Sequence, residues 1–201
     1  MTQPPTLYFI RHGETAWSLS GQHTGRTDLP LTPNGEAQAR ALAPMLAGIA
    51  FTQVLRSPRL RARHTCELAG LGAQAQTEAD LAEWDYGDCE GLRTAVIQQT
   101  HPAWDIWADG CPGGESPADA SARADRLLSR LGRLSGPVAL FSHGQFGRVL
   151  AARWIEADVA VGQHFTIDTA SLSILGHENG HPQRRVIRLW NATPRGLPPV
   201  A

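Results

Sequence analysis

The sequence contains no lysine: all 18 of its cationic side chains are Arg. Any anion site must therefore be built from guanidinium, imidazole, hydroxyl and backbone N–H groups. A surplus of positive charge is also missing, since 18 cations face 19 acids for a net charge of −1. That balance gives no field for coating DNA or RNA, so a nucleic-acid partner is not expected. Cysteine is scarce: Cys66, Cys89 and Cys111 are odd in number and widely spaced, with no C-x-x-C. This excludes a disulfide framework and argues against a structural zinc site. No apolar run approaches the roughly 18 residues of a membrane span. The start, MTQPPTLYFIRHG, has no basic leader and only a five-residue apolar run, so it does not read as a signal peptide. A soluble, cytoplasmic protein without a membrane partner is expected. What remains is 201 residues, 42% hydrophobic, enough for one domain with a sizeable core and too apolar for a disordered chain.

Strand-like and helix-like segments alternate. TLYFI (6–10) is β-branched and aromatic and stops at Arg-His-Gly. Residues 33–47 read as a helix, with Thr32 as cap, Pro33 at the first helical position, apolar residues at i,i+4 spacing, and a kink at Pro44. FTQVLR (51–56) reads as a strand, and Ser57-Pro58 as the capped start of a helix closing near Gly70. Residues 92–100 are predicted helical. Ser116-Pro117-Ala118-Asp119 resembles a capping box for a helix that Gly136-Pro137 ends. PVALFS (137–142) is a predicted strand and 145–156 a predicted helix. SLSILGH (171–177), a turn at Asn179-Gly180 and RVIRLW (185–190) read as a β-hairpin, whose exposed edge offers a place for a homodimer to pair. The pattern predicts an α/β fold: a mainly parallel central sheet with helices on both faces and a C-terminal hairpin. One domain over 1–192 is expected, with an insertion at about 81–116 that walls or covers a site and a flexible tail over 193–201.

The chemistry starts from a local echo. LYFI-Arg11-His12-Gly13-Glu14 and VALF-Ser142-His143-Gly144-Gln145 are each an apolar strand, one polar residue and then His-Gly. Ligands of open parallel sheets bind beyond the carboxyl ends of strands, so both imidazoles belong at one sheet edge. Each Gly permits a sharp turn and close approach of a ligand. Arg11 adjoins one His, and Arg61 lies in the first turn of the helix after the second strand. Guanidinium forks and helix N-termini both favour tetrahedral anions. On spacing alone Arg61 is not distinguished from Arg56, Arg59 and Arg63. The third piece is an acid. Between Leu81 and Gly91, Glu83, Asp85, Asp88 and Glu90 are equal candidates, and apolar rings nearby would favour a protonated carboxyl as general acid.

Arg11-His12-Gly13-Glu14-Thr15, followed by Leu31-Thr32-x-x-Gly35, resembles the signature of the histidine phosphatase (phosphoglycerate mutase-like) superfamily. The resemblance continues through Ser57-Pro58-Arg59-Leu60-Arg61-Ala62-x-x-Thr65, Glu83-x-x-x-Gly87-x-x-Glu90-Gly91, Gly113-Gly114-Glu115-Ser116 and Ser142-His143-Gly144. These ordered matches cover roughly residues 6 to 150. Gly21 to Asp28, Glu83-Trp84-x-Tyr86-Gly87 and Trp104 to Cys111 are most similar to the sedoheptulose-1,7-bisphosphatase-like and bacterial acid phosphatase branch. The resemblance implies a three-layer sandwich and a phosphatase of small phosphate esters that needs no cofactor and no metal. It implies His12 as nucleophile, with Arg11, Arg61 and His143 around the phosphoryl oxygens and the backbone near Gly144. It further implies Glu83 as proton donor, and Thr24, Gly25 and Tyr86 at the rest of the substrate. Ser18 stands where the superfamily usually has Asn; its hydroxyl has a shorter reach toward phosphate.

The residues fit that chemistry by themselves. An imidazole attacks only through an unprotonated nitrogen, and flanking Arg charges favour the neutral ring. A backbone carbonyl at the turn would hold the other nitrogen as donor. Two other functions are weighed on the same fold: a cofactor-dependent phosphoglycerate mutase and a non-catalytic phosphate-binding protein. A mutase needs a closed, strongly cationic pocket, yet Arg93 is the one cation between Glu83 and Ser116. His177 and His181 flank an Asn-Gly turn and read as hairpin surface rather than a metal pair. His23 reads equally as a substrate contact or a solvent-exposed ring. Trp84, Trp104 and Trp107 read as core or lid packing.

Overall fold

A computed structural model describes residues 4–194. Of the tail expected over 193–201, only Thr193 and Pro194 fall inside that range; the remainder lies outside the described residues. The strands are β1 (Thr6–Arg11), β2 (Gln53–Arg56), β3 (Ala75–Thr77), β4 (Pro137–Ser142), β5 (Leu172–Glu178) and β6 (His181–Ala192). The helices are α1 (Ala16–Ser20), α2 (Pro33–Ala41), α3 (Ala43–Leu46), α4 (Leu60–Leu68), α5 (Thr94–Thr100), α6 (Ile106–Asp109), α7 (Pro117–Leu131) and α8 (Gly144–Trp154). One sheet runs in the order β3-β2-β4-β1-β5-β6. Its first four strands are parallel, and the hairpin β5–β6 extends it antiparallel beyond β1. This is the expected mainly parallel α/β sheet with a C-terminal hairpin.

Alternation within the strands divides the core. Leu7, Phe9, Val138 and Leu140 join the cluster formed with α7, α8 and the Trp-rich segment. Ile10, Ala139 and Phe141 point to the opposite face, against Leu42, Leu46 and Cys66 of the α2–α4 layer. Period-two strands buried on both sides give this division directly. The local start signals also operate. Thr32 Oγ1 accepts from Gly35 N, and Ser116 with Asp119 forms a reciprocal capping box. The helix containing Pro44 breaks at Leu42 into α2 and α3.

Some boundaries differ from expectation. Ser57 is not the cap of α4: the cap position is Arg59, whose N–H donates to Ser57 Oγ at 3.2 Å while the same hydroxyl is engaged with His143. β6 begins at His181, four residues before the predicted strand, because pairing with β5 carries Pro182 and the Arg-rich start along an edge, where a missing N–H is tolerated. β3, α1 and α6 are too short to show a period, and none was anticipated. Among the described residues, no helix is long and apolar enough to cross a membrane.

Candidate active site

The chain passes from β1 to β2 across the slot later filled by β4, and this switch in strand order opens a crevice at the carboxyl edge. Parallel register pairs Arg11 with Ser142, so His12 and His143 leave their strands side by side. Their ring centroids are 5.2 Å apart. On the other side of β4, Arg56 pairs with Phe141, which delivers Ser57 to His143. Ser57 Oγ and His143 Nε2 are 2.6 Å apart.

His12 is buried, and its Nδ1 lies 2.7 Å from the Gly13 carbonyl oxygen. A carbonyl only accepts, so Nδ1 carries the proton and Nε2 keeps its lone pair. Burial, the largest influence, and then the charges of Arg61 and Arg11 hold the His12 pKa well below the ordinary imidazole value. Burial followed by Arg61 and His12 does the same to His143. Both shifts favour the neutral ring. The Gly13 turn is fixed from below: Gly13 N donates to Thr65 Oγ1 at 3.0 Å, which donates to the Arg61 carbonyl at 2.7 Å.

Arg61 is fully buried, with its terminal nitrogens donating to the carbonyls of Thr24, Gly25 and Thr27. Arg11 donates to the Ile167 carbonyl. Neither guanidinium has an acid within salt-bridge distance among the described residues. Three buried nitrogens here, Arg11 Nε, Arg61 Nε and His143 Nδ1, have no hydrogen-bond partner. Such groups are costly unless something satisfies them, and an oxyanion beside His12 is what this set accepts. Gly144 opens the approach: a Cβ there would come within 3.1 Å of Arg11 Nε.

Of the four candidate acids, Glu83 alone lines the cavity above His12. Asp85 pairs with Arg26 at 2.5 Å, and Glu90 accepts from Gly25 N and Thr27 N. Glu83 reaches the N-terminus of α8, where Oε1 accepts from Trp84 N (2.8 Å) and Phe146 N (2.7 Å) and Oε2 from Gln145 N (3.0 Å). Oε2 makes one bond to Oε1's two, so it keeps more of its lone-pair capacity free. Arg123 steadies this loop by binding Glu115 through two nitrogens at 2.7 Å and the carbonyls of Asp80, Ala82 and Glu83.

An imidazole with a free Nε2 beside two arginines, in a cavity also lined by a carboxyl group, narrows the family. The profile of the histidine phosphatase superfamily (branch 1) matches residues 7–193. The chain belongs to that superfamily. It is an enzyme of the phosphatase class. It is 43% identical to an acid phosphatase of Mycobacterium tuberculosis, over 91% of this chain and 92% of that one. It is 36% identical to sedoheptulose 1,7-bisphosphatase of Saccharomyces cerevisiae, over 75% of this chain and 67% of the relative. A solved structure from M. tuberculosis, 40% identical, superposes with a TM-score of 0.87 over 94% of this chain and 98% of that one.

In this phosphatase a cavity of about 380 Å³ opens over His12. Arg11, His12, Ser18, Thr24, Glu83, Tyr86 and Gly144 line it; Arg61, His143 and Gly25 are not part of the lining. The Ser18 hydroxyl is occupied, accepting from Thr15 N at 2.8 Å and donating to the Thr15 carbonyl at 3.0 Å. Gly25 serves the frame, its N–H going to Glu90 and its carbonyl to Arg61. His23 stacks on Tyr86 (4.6 Å between centroids) and lines the cavity, and burial lowers its pKa. Trp84 is core, fully buried; Trp104 and Trp107 wall a neighbouring cavity. Sequence reasoning missed Arg148 and the stretch from Gln163 to Asp168, which close the far side. Arg148 had a signal, standing one helical turn after Gly144. The other stretch is placed by tertiary packing and carries no motif.

Proposed function

We propose that this enzyme hydrolyses the phosphomonoester of a small metabolite, a sugar phosphate or bisphosphate or a phosphocarboxylate, through a phosphohistidine and without a metal ion. The observation that carries the reading is the trio of unpartnered buried nitrogens beside the free Nε2 of His12. In the first step Nε2 attacks phosphorus, the P–O ester bond breaks, and the leaving oxygen takes a proton from Glu83. In the second, water gives its proton to Glu83 and its oxygen to phosphorus, the N–P bond breaks, and His12 returns neutral. Arg11, Arg61 and His143 neutralise and orient the phosphoryl oxygens, which is most of what phosphoryl transfer requires. That positive charge takes the part a metal ion has in other phosphatases. Three free, buried thiols suit the reducing cytoplasm, where we place the enzyme.

The test is hydrolysis of a phosphometabolite panel with acid-labile phosphate trapping. Wild type should turn over and trap phosphate, with activity unchanged by EDTA. His12→Ala should trap none and lose on the order of 10³-fold or more in kcat. Equal turnover by both proteins removes His12 as nucleophile, and activity lost to EDTA and regained with Mg²⁺ or Zn²⁺ removes the metal-free mechanism.

A further inference from the structure

We propose that Asn191, near the end of β6 and outside the phosphatase motifs, is a positioning residue for Arg11: it fixes the peptide between Ile167 and Asp168, and that peptide aims the guanidinium at the phosphoryl group. This rests on the phosphatase reading above. The two arginines of the site are held unequally. Arg61 donates to three carbonyls, whereas among the described residues the one hydrogen bond from the Arg11 guanidinium goes to the Ile167 carbonyl. The direction of Arg11 therefore depends on where that carbonyl sits. Yet Phe165 to Asp168 belongs to no helix or strand, and loops move more than the elements they connect unless they are tied.

The tie comes from β6. Asp168 N donates to Asn191 Oδ1 (2.7 Å), and Asn191 Nδ2 donates to Asp168 Oδ2 (2.9 Å). The Asp168 N–H and the Ile167 C=O belong to one planar, trans peptide, so they face opposite ways. Asn191 holds one side of that plane, and the other side holds Arg11. Hydrogen bonds joined in a row through a peptide polarise one another, which strengthens the Arg11 contact. Trp190 adds a second tie: its Nε1 donates to the Thr166 carbonyl (2.5 Å), and its ring lies 5.1 Å from that of Phe165. The backbone of β6 is shaped to deliver these groups. Leu172 pairs with Ala192 and Ile174 with Leu189, so β6 carries one extra residue over that span, a bulge at Trp190 and Asn191. Asn191 N donates to Ser173 Oγ (3.0 Å), which pins the bulge to β5. The φ of Asn191 is 57°, in the left-handed region, which Asn enters more readily than most side chains. Glycine would sit there without strain but has no amide to offer.

The experiment is a double-mutant cycle in kcat/KM with p-nitrophenyl phosphate. Asn191→Gly keeps the backbone conformation and deletes the amide. It should lower kcat/KM roughly 10-fold when Arg11 is present, and by less than about 2-fold in an Arg11→Gln background. Equal losses in both backgrounds mean that Asn191 serves only the fold, which overturns the proposal; so does no loss in either. Asn191→Asp sets two carboxylates against each other and should be as poor as Asn191→Gly. Combining it with Asp168→Asn exchanges the partners and rebuilds both bonds, so most of the activity should return; no recovery overturns the assignment. If Asn191→Gly does not fold, Asn191→Asp enters the cycle in its place and the same two losses are compared. A wild type that cleaves neither this ester nor any of the metabolite panel sinks the phosphatase reading itself, and the proposal with it.

Discussion

A single hydrogen bond, from His12 Nδ1 to the carbonyl next in the chain, decides which nitrogen of the ring can act. The same environment that keeps that ring neutral links it to stability. In the unfolded chain both His12 and His143 titrate near the ordinary imidazole value, whereas the folded state holds both well below it. Below the ordinary value the unfolded state therefore binds more protons, and stability falls with pH until the folded pKa is reached. Each ring contributes at most about 1.4 kcal/mol per pH unit over that window. His12→Asn places an amide N–H where Nδ1–H was and removes the titrating group. Urea unfolding should then show a shallower loss between pH 7 and pH 5 than in wild type; equal slopes would mean that His12 is not held neutral. Glu83→Gln tests the opposite side of the reaction. Gln keeps the shape and cannot give a proton, so kcat should fall by about 10²- to 10³-fold with KM little changed. A rise in KM alone would assign Glu83 to binding.

Elements place these residues, and α8 carries the most. Its N-terminal N–H groups hold Glu83, its first turn bears Gly144, its second bears Arg148, and its opposite face lies on β1. The contact with β1 is close at Gly147, where a Cβ would lie 2.5 Å from both Cε1 and Cζ of Phe9. Gly→Ala inside a helix ordinarily gains about 1 kcal/mol. Overpacking a tight core costs about 1–3 kcal/mol, and Phe9 is itself buried with no room to retreat. The clash wins, so Gly147→Ala should lower thermal stability, and an unchanged or raised melting temperature would show that α8 can shift. Strong local grammar made such elements readable: proline after a capping residue opens α2 and α7, and a His-Gly pair ends β1 and β4. The Ser57-Pro58 signal misled because a hydroxyl can serve a cap or an imidazole, and only the register of β2 on β4 shows that His143 is within reach.

At the scale of the molecule, the site draws on chain segments that are far apart: 11–25, 57–65, 83–86, 143–148 and 163–168. His12 and His143, named by a local motif, were legible because each sits at the end of a recognisable strand. Arg61 and Glu83 needed the family resemblance, since neighbouring Arg residues share the spacing of the one and three nearby acids equal the other. Gln163 to Asp168 was not legible, because its place depends on the Arg148 bonds to the carbonyls of Gly162 and Gln163 rather than on its own pattern. An anion held at His12 would add its own bonds to the hydrogen bonds that already join these segments. Its binding free energy therefore appears as global stability. Vanadate, which takes the geometry of phosphorus in transfer, should raise the unfolding free energy by about 2.7 kcal/mol at a hundred times its Kd. For a chain of this length that is roughly 5–10 °C in Tm. The shift, measured against each protein's own baseline, should shrink in His12→Ala and nearly vanish in Arg61→Gln, where the buried charge behind the phosphoryl site is gone. An undiminished shift in Arg61→Gln would place the anion elsewhere, since a guanidinium that lowers the pKa of both His12 and His143 must also act on a dianion bound between them.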